Sequence, residues 1–246
     1  IPYIINSSGL HIDENVSLTI DPGVIIKHDY FNFSELMTIE GKLTAQGTAL
    51  SPIVFTDIAD DTYGGDTNND GSSSSPEEGD WDGIHFNPPA DDNSIIEYCL
   101  FRYGGYTGTR NGALEIEATD LTVNQNTFFK CEKGIVILEE AAPSITNNTF
   151  EDISIIPTGM DISASPSFSG NTFTNVSRQV IGLEPNTLSG TGSYSLPQRN
   201  LAGISNVPYL VYVSGLTVGE EITLTIDPGV VIKNDYLDFS DMMTVK

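Results

Sequence analysis

The chain has 246 residues, with 34 acidic against 10 basic side chains and a formal net charge of −24. Such a charge argues against nucleic acid and anionic bilayers as partners and favours cations and neutral surfaces such as glycans. Hydrophobic residues make up 39% and charged residues 18%, a balance that allows a buried core, and no apolar run approaches the roughly 18 to 20 residues of a membrane span.

The chain opens on Ile1-Pro2 with neither an initiator Met nor a signal peptide, as expected for an excerpt of a longer, processed protein. Its first 40 residues, IPYIINSSGLHIDENVSLTIDPGVIIKHDYFNFSELMTIE, return at 207–246 as VPYLVYVSGLTVGEEITLTIDPGVVIKNDYLDFSDMMTVK, at a constant offset of 206 with 21 identities. Pro2, Gly9, Lys27, Tyr30 and Met37 come back as Pro208, Gly215, Lys233, Tyr236 and Met243. Residues 1–206 therefore read as one complete repeat and 207–246 as the start of the next. Within the segment, Asp21-Pro22-Gly23 and its copy Asp227-Pro228-Gly229 read as a turn, Pro presetting φ and Gly taking the positive φ.

Next in the chain comes an insertion, 58–82, holding DTNNDGSSSSPE at 66–77. Asp66, Asn68, Asp70, Ser74 and Glu77 stand at places 1, 3, 5, 9 and 12, with Gly71 at place 6, which matches the calcium-loop pattern. Ca²⁺ takes six to eight hard oxygens; the Ser72 carbonyl supplies the seventh-place ligand, Glu77 chelates, and Asp60, Asp61, Asp80 and Asp82 are close enough in sequence to complete a shell. Ser73 and Pro76 depart from the helix-loop-helix version, and neither flank reads as a helix, so no paired sensor hand is implied. The competing reading is a solvated polar loop. Trp81 fits a sugar-stacking platform and a packed strand edge equally well.

Beyond the insertion, short β-branched strands are punctuated by Gly, Pro, Asn and Ser. Asn126, Asn148 and Asn171 each open an Asn-Thr-Phe triplet, 22 and 23 residues apart. A period in the low twenties predicts coils stacked at about 4.8 Å, with Phe128, Phe150 and Phe173 as an internal ladder and the three Asn stacked at a turn. A β-sandwich has similar strands but no reason for a fixed spacing. Cys99 and Cys131 are too few for a disulfide framework and are expected to be buried free thiols.

LTIDPGVIIK (18–27), MTIEGKLTAQGTALSPIVFTD (37–57), GDWDGIHF (79–86), SIIEYCLFRYGG (94–105) and the Asn-Thr-Phe coils, in this order, resemble the right-handed parallel β-helix proteins of microbial cell surfaces, within the pectate-lyase-like superfamily. The resemblance implies an all-β, right-handed parallel β-helix, and it leaves function open among adhesins, surface fibres and carbohydrate enzymes. Its pectin-cleaving members use acidic clusters with Ca²⁺ and a basic residue. Here the basic candidates are Arg102 and Arg110 near Asp91, Asp92 and Glu97, and a strand-exposed Arg102 paired with a carboxylate on a neighbouring coil is the simpler reading. The Asn-Thr-Asp, Gly-His-Gly and Arg-Ile-Lys signatures of its hydrolases are absent. His11 and His28 become Thr217 and Asn234 in the second copy, and His85 alternates with apolar neighbours, as a solvent-facing strand position would. No catalytic residue is assigned.

The expectation is a non-enzymatic module of an extracellular or cell-surface filament, stalk or adhesin, stiffened by Ca²⁺. It self-associates end to end with further copies, and glycans or cell surfaces are further partners. The rival is a carbohydrate-binding or polysaccharide-degrading β-helix, which needs a groove lined by aromatic and basic side chains. At roughly 22 to 25 residues a coil, one repeat makes about seven to nine coils and on the order of 35 to 45 Å of rod.

Overall fold

The computed structural model describes residues 1–6, 8–29, 37–106, 111–212, 215–235 and 243–246; Tyr30, Arg110 and Tyr236 lie outside them. Every named element is a β-strand of two to six residues, and every strand pairing is parallel. The chain winds through three faces in turn. The first carries Tyr3–Ile5, Ile25–His28, Ile53–Asp57, Cys99–Arg102, Thr127–Phe129, Thr149–Glu151 and Thr172–Thr174. The second carries Leu10–Ile12, Met37–Ile39, Ile84–Phe86, Leu114–Glu117, Lys133–Leu138, Ile156–Met160, Ile181–Leu183, Tyr209–Val211 and Ile232–Asn234. The third carries Ser17–Ile20, Lys42–Gln46, Ile95–Glu97, Thr122–Asn124, Ser144–Thr146 and Ser167–Ser169. Past residue 183 the third and first ladders give way to a three-stranded ladder (Thr187–Leu188, Leu216–Val218, Met243–Val245) and a two-stranded one (Gly192–Leu196, Ile222–Ile226).

Strands this short are set by a two-residue alternation and by the corners between them. In Thr127–Phe129 and Thr149–Glu151 only the central Phe is buried, and it meets its register partner on the next coil. The inward rings form a column, Phe55–Phe101–Phe128–Phe150–Phe173, with centroids 5.2, 4.8, 5.1 and 5.8 Å apart. The first three contacts are stacked, and Phe173 meets Phe150 edge-on. No single coil could bury such a face; stacking coils does.

In the four coils from Ile95–Glu97 onward, the corner from the third face to the first turns on two positions. Its first member, Tyr98, Gln125, Asn147 or Gly170, has φ between 48° and 67°, the left-handed conformation that lets the chain bend within one residue. At the second, Asn126, Asn148 and Asn171 are buried and laddered. The Nδ2 of Asn126 donates to Asn148 Oδ1 at 3.0 Å and that of Asn148 to Asn171 Oδ1 at 3.2 Å. Each Asn Nδ2 also donates across the coil, to the carbonyls of Ile96, Val123 and Ile145. Cys99 holds the next place in this rank, its N–H donating to Asn126 Oδ1. Both cysteines are free and buried, and burial pushes the Cys131 thiol up to about 12. No helix among the described residues is long and apolar enough to cross a membrane.

Candidate functional site: the polar insertion and its anchor

The insertion leaves the first face after Ile53–Asp57 and returns to the second at Ile84–Phe86. Its base is built on Lys27, a fully buried side chain whose Nζ donates to the carbonyls of Asp60 and Gly65, both at 2.9 Å. Burial lowers the Lys27 pKa, against the opposing pull of Asp60, Asp61, Asp57 and Asp66. Asp60 accepts from Thr56 Oγ1 at 2.7 Å and Arg102 Nε at 2.8 Å through one oxygen, and from the Thr62 N–H through the other. Burial raises the Asp60 pKa, but these hydrogen bonds and the Arg102 charge outweigh it and hold the carboxyl below its ordinary value.

Arg102 is paired with a carboxylate from the neighbouring coil, as expected, and that partner is Asp60; the side chain is buried rather than strand-exposed. Its guanidinium lies 4.8 to 5.1 Å from the ring centroids of Tyr63, Tyr103 and Phe129, and donates to the Tyr103 hydroxyl. Aromatic faces take up the part of the charge that Asp60 does not. Trp81 closes the returning end, fully buried, with Nε1 donating to the Arg102 carbonyl at 2.7 Å and its ring stacked on His28 at 4.1 Å and 2°. Burial drives the His28 pKa down to about 3, so this imidazole is neutral and packs as an aromatic ring. His85 is also buried, not solvent-facing: the outer side of its strand is covered. Asp57, at the insertion's root, has its pKa raised to about 6 by burial.

The loop itself folds around Asp66 and Asp70. Asp66 accepts from the N–H groups of Asp70 and Gly71, and Gly71 has φ 75° with no atom within 4 Å of where a Cβ would stand. Asn68 Nδ2 lies 3.1 Å from Asp70 Oδ2 and 3.0 Å from Ser74 Oγ, and Ser74 donates to Asp70. Asp66, Asn68, Asp70 and Ser74 are thereby drawn together. The Glu77 N–H donates to Asp80, and the Glu77 carboxylate does not join Asp66 and Asp70 in one cluster of acidic oxygens; Ser72 is exposed. The donor set fits a hard cation in type. Turning the Asn68 amide by half a turn puts Oδ1 between Asp70 and Ser74, whereas Glu77 would have to swing inward to chelate. Asp60 is committed to Arg102 and would not serve as a ligand.

Among the described residues the one tight group of acidic and imidazole ligand atoms is His11, Asp13 and Glu40. It is solvent-exposed, and the second copy replaces all three with Thr217, Gly219 and Lys246. A further cluster has no sequence signal, because its members lie far apart in the chain. Lys133 Nζ is 3.5 Å from Glu184 Oε1 and 5.3 Å from the Tyr212 ring centroid, and the Tyr212 hydroxyl donates to Glu184. Burial lowers the Lys133 pKa despite Glu184. Gly159 makes room for it, since a Cβ there would come within 2.6 Å of Glu184 Oε1. Lys133 and Glu184 are closed to solvent, so a polymer cannot touch them in this conformation.

A family model for the right-handed β-helix region matches residues 59–192, just over half of the chain, and the chain belongs to that family. The family holds both pectate-lyase-like enzymes and non-enzymes. No curated protein and no solved structure gives a match.

Proposed function

We propose that the chain is a structural β-helix module of an extracellular filament, stalk or adhesin, lengthened by further copies of its own 206-residue repeat. One observation carries this reading. The second copy of the opening segment does not leave the solenoid: Tyr209–Val211 pairs in parallel register with Ile181–Leu183, and Ile232–Asn234 with Tyr209–Val211 in turn. A repeat whose successor stacks on it by backbone hydrogen bonds makes a rod. Electron micrographs of the native material are expected to show rods with an axial repeat of about 35 Å, and globular particles would overturn the reading.

Calcium stiffening of the insertion belongs to the same proposal, supported by the hard-oxygen set at Asp66, Asn68, Asp70 and Ser74. The loop's root is held by Lys27, Arg102 and Trp81. Chelation should therefore loosen the tip and leave the coils folded. Calorimetric titration and thermal melts check this, with Asp70→Ala expected to abolish binding; unchanged binding would remove the ion from the account. The carbohydrate reading finds less to stand on. A groove of about 430 Å³ beside the second face is lined by Glu139, Glu140 and Asp161, with Tyr194 its single aromatic and no basic side chain.

A further inference from the structure

The two copies of the opening segment occupy different faces. Tyr3–Ile5 lies on the first face, but its counterpart Tyr209–Val211 lies on the second. Leu10–Ile12 lies on the second face, and Leu216–Val218 on the three-stranded ladder that follows it. Ser17–Ile20 lies on the third face, and Ile222–Ile226 on the two-stranded ladder one place further round. Ile25–His28 is back on the first face and Ile232–Asn234 back on the second. Every strand of the copy has moved on by one.

The cause lies in how many coils the repeat contains. From Tyr3–Ile5 the first face needs six further coils to reach Thr172–Thr174; one step round brings the chain to Ile181–Leu183, and one more coil sets Tyr209–Val211 on that same second face. The 206-residue offset thus spans seven coils and one face, not a whole number of coils. Nothing in the local sequence is rotated. The connections within the copy match those of the original in length, so the copy is the same three-sided coil turned about the axis.

We propose that successive repeats of this protein are turned relative to one another by one face, about a third of a turn for each rise of about 35 Å. A given side chain then returns to the same side of the rod at every third repeat, after about 105 Å. The insertion with its polar loop is presented in three directions around the axis, and the partner this suits is one that approaches from all sides, such as a neighbouring rod of the same kind in a bundle. Extension to an array rests on the rod reading. The turn between the two copies in this chain does not, and it can be tested by itself.

Ser193 and Thr223 are exposed register partners across the junction, within the reach of a disulfide. If the copy were moved back by one face, Thr223 would lie beside Thr187 instead, whose partner is now Thr217. The full chain is made with Ser193→Cys and Thr223→Cys, and separately with Thr187→Cys and Thr223→Cys, then oxidised mildly; the buried Cys99 and Cys131 serve as internal non-reacting thiols. The first pair is expected to close at least tenfold faster than the second, with the melting temperature of the reduced chains unchanged. Faster closure of the second pair, or closure of neither in a folded chain, would overturn the turn. Closure of the first pair with no rods in micrographs would remove the filament reading and leave the turn standing. Rods together with closure of the second pair would do the reverse.

Discussion

Residues 1–28 and 207–234 are two copies of one segment, identical at 15 of 28 positions, in two situations, and each lacks what the other has. The first copy has coils above it and none below. Tyr3 is 68% exposed, Ile4 and Leu10 are open, and the core ends in a hollow of about 270 Å³ lined by Tyr3, Ile5, Leu10, Leu18, Ile20 and Ile26. The second copy has a coil below it: Tyr209 is fully buried, and Leu210, Val211, Leu216 and Val218 are buried with it. Its upper side is open, so Ile226 is 42% exposed where Ile20 is 7%, and Lys233 is exposed where Lys27 is fully buried. Overlaid, the two copies describe a segment covered on both sides. Burial at each position is therefore decided by the neighbouring coil, not by the residue itself.

Tyrosine truncation should separate the two copies most. Tyr209 fills the core and donates its hydroxyl to the Pro197 carbonyl, so Tyr209→Ala should cost about 3–5 kcal/mol, whereas Tyr3→Ala in this chain should cost under about 1 kcal/mol. Denaturant melts of the two variants measure the difference. Equal costs would break the comparison. It is sharpened by placing a preceding repeat under residue 1, which should lift the Tyr3→Ala cost towards the Tyr209 value.

The lysines should differ less. Lys27→Ala removes the ammonium that satisfies two carbonyls at the root of the insertion, at about 2–3 kcal/mol, while Lys233→Ala should stay within about 0.5 kcal/mol. Proteolysis within 58–82 gives a second readout, expected to quicken only in the Lys27 variant.

The most gradual effect, spread over two pH units, is carried by the next position, His28, which the copy replaces with Asn234. His28 has a folded pKa near 3, below an unfolded value of about 6.5, so its contribution is complete above the unfolded pKa and is lost as pH falls from about 6.5 towards 3. Asp57, raised to about 6, works the other way, its contribution being lost as pH rises from about 4 to 6. Between about pH 4 and 6 the two slopes oppose each other. His28→Asn should unmask the Asp57 slope, with stability falling by up to about 1.4 kcal/mol for each pH unit gained across that window. A variant whose stability keeps the parent's pH dependence would show that His28 is not held neutral as the structure places it.

Much of this was legible without coordinates. The Asn-Thr-Phe period and the β-branched triplets imply stacked coils because the alternation of three-residue strands is a local property, repeated whenever the pattern repeats. Asn126, Asn148 and Asn171, with Phe128, Phe150 and Phe173, show their register directly in their spacing. The column's extension to Phe101 and Phe55 did not show, since the segment between Arg102 and Leu114 stretches the step from Phe101 to Phe128 to 27 residues, and the insertion between Asp57 and Ile84 stretches that from Phe55 to Phe101 to 46. Nor did the left-handed corners at Tyr98, Tyr103, Gln125 and Lys130, residue types with no preference for positive φ that adopt it because the ladders on both sides fix the bend. The buried roles of Arg102 and His85, and the meeting of Lys133, Glu184 and Tyr212, depend on which coils lie side by side, across 42 residues for Arg102 and Asp60 and 51 for Lys133 and Glu184. The sequence by itself determined that the opening 40 residues return at an offset of 206 and that the chain coils. Only the tertiary structure decided on which face the next copy begins, because that depends on the number of coils and the length of every connection between the copies, a sum no local pattern records.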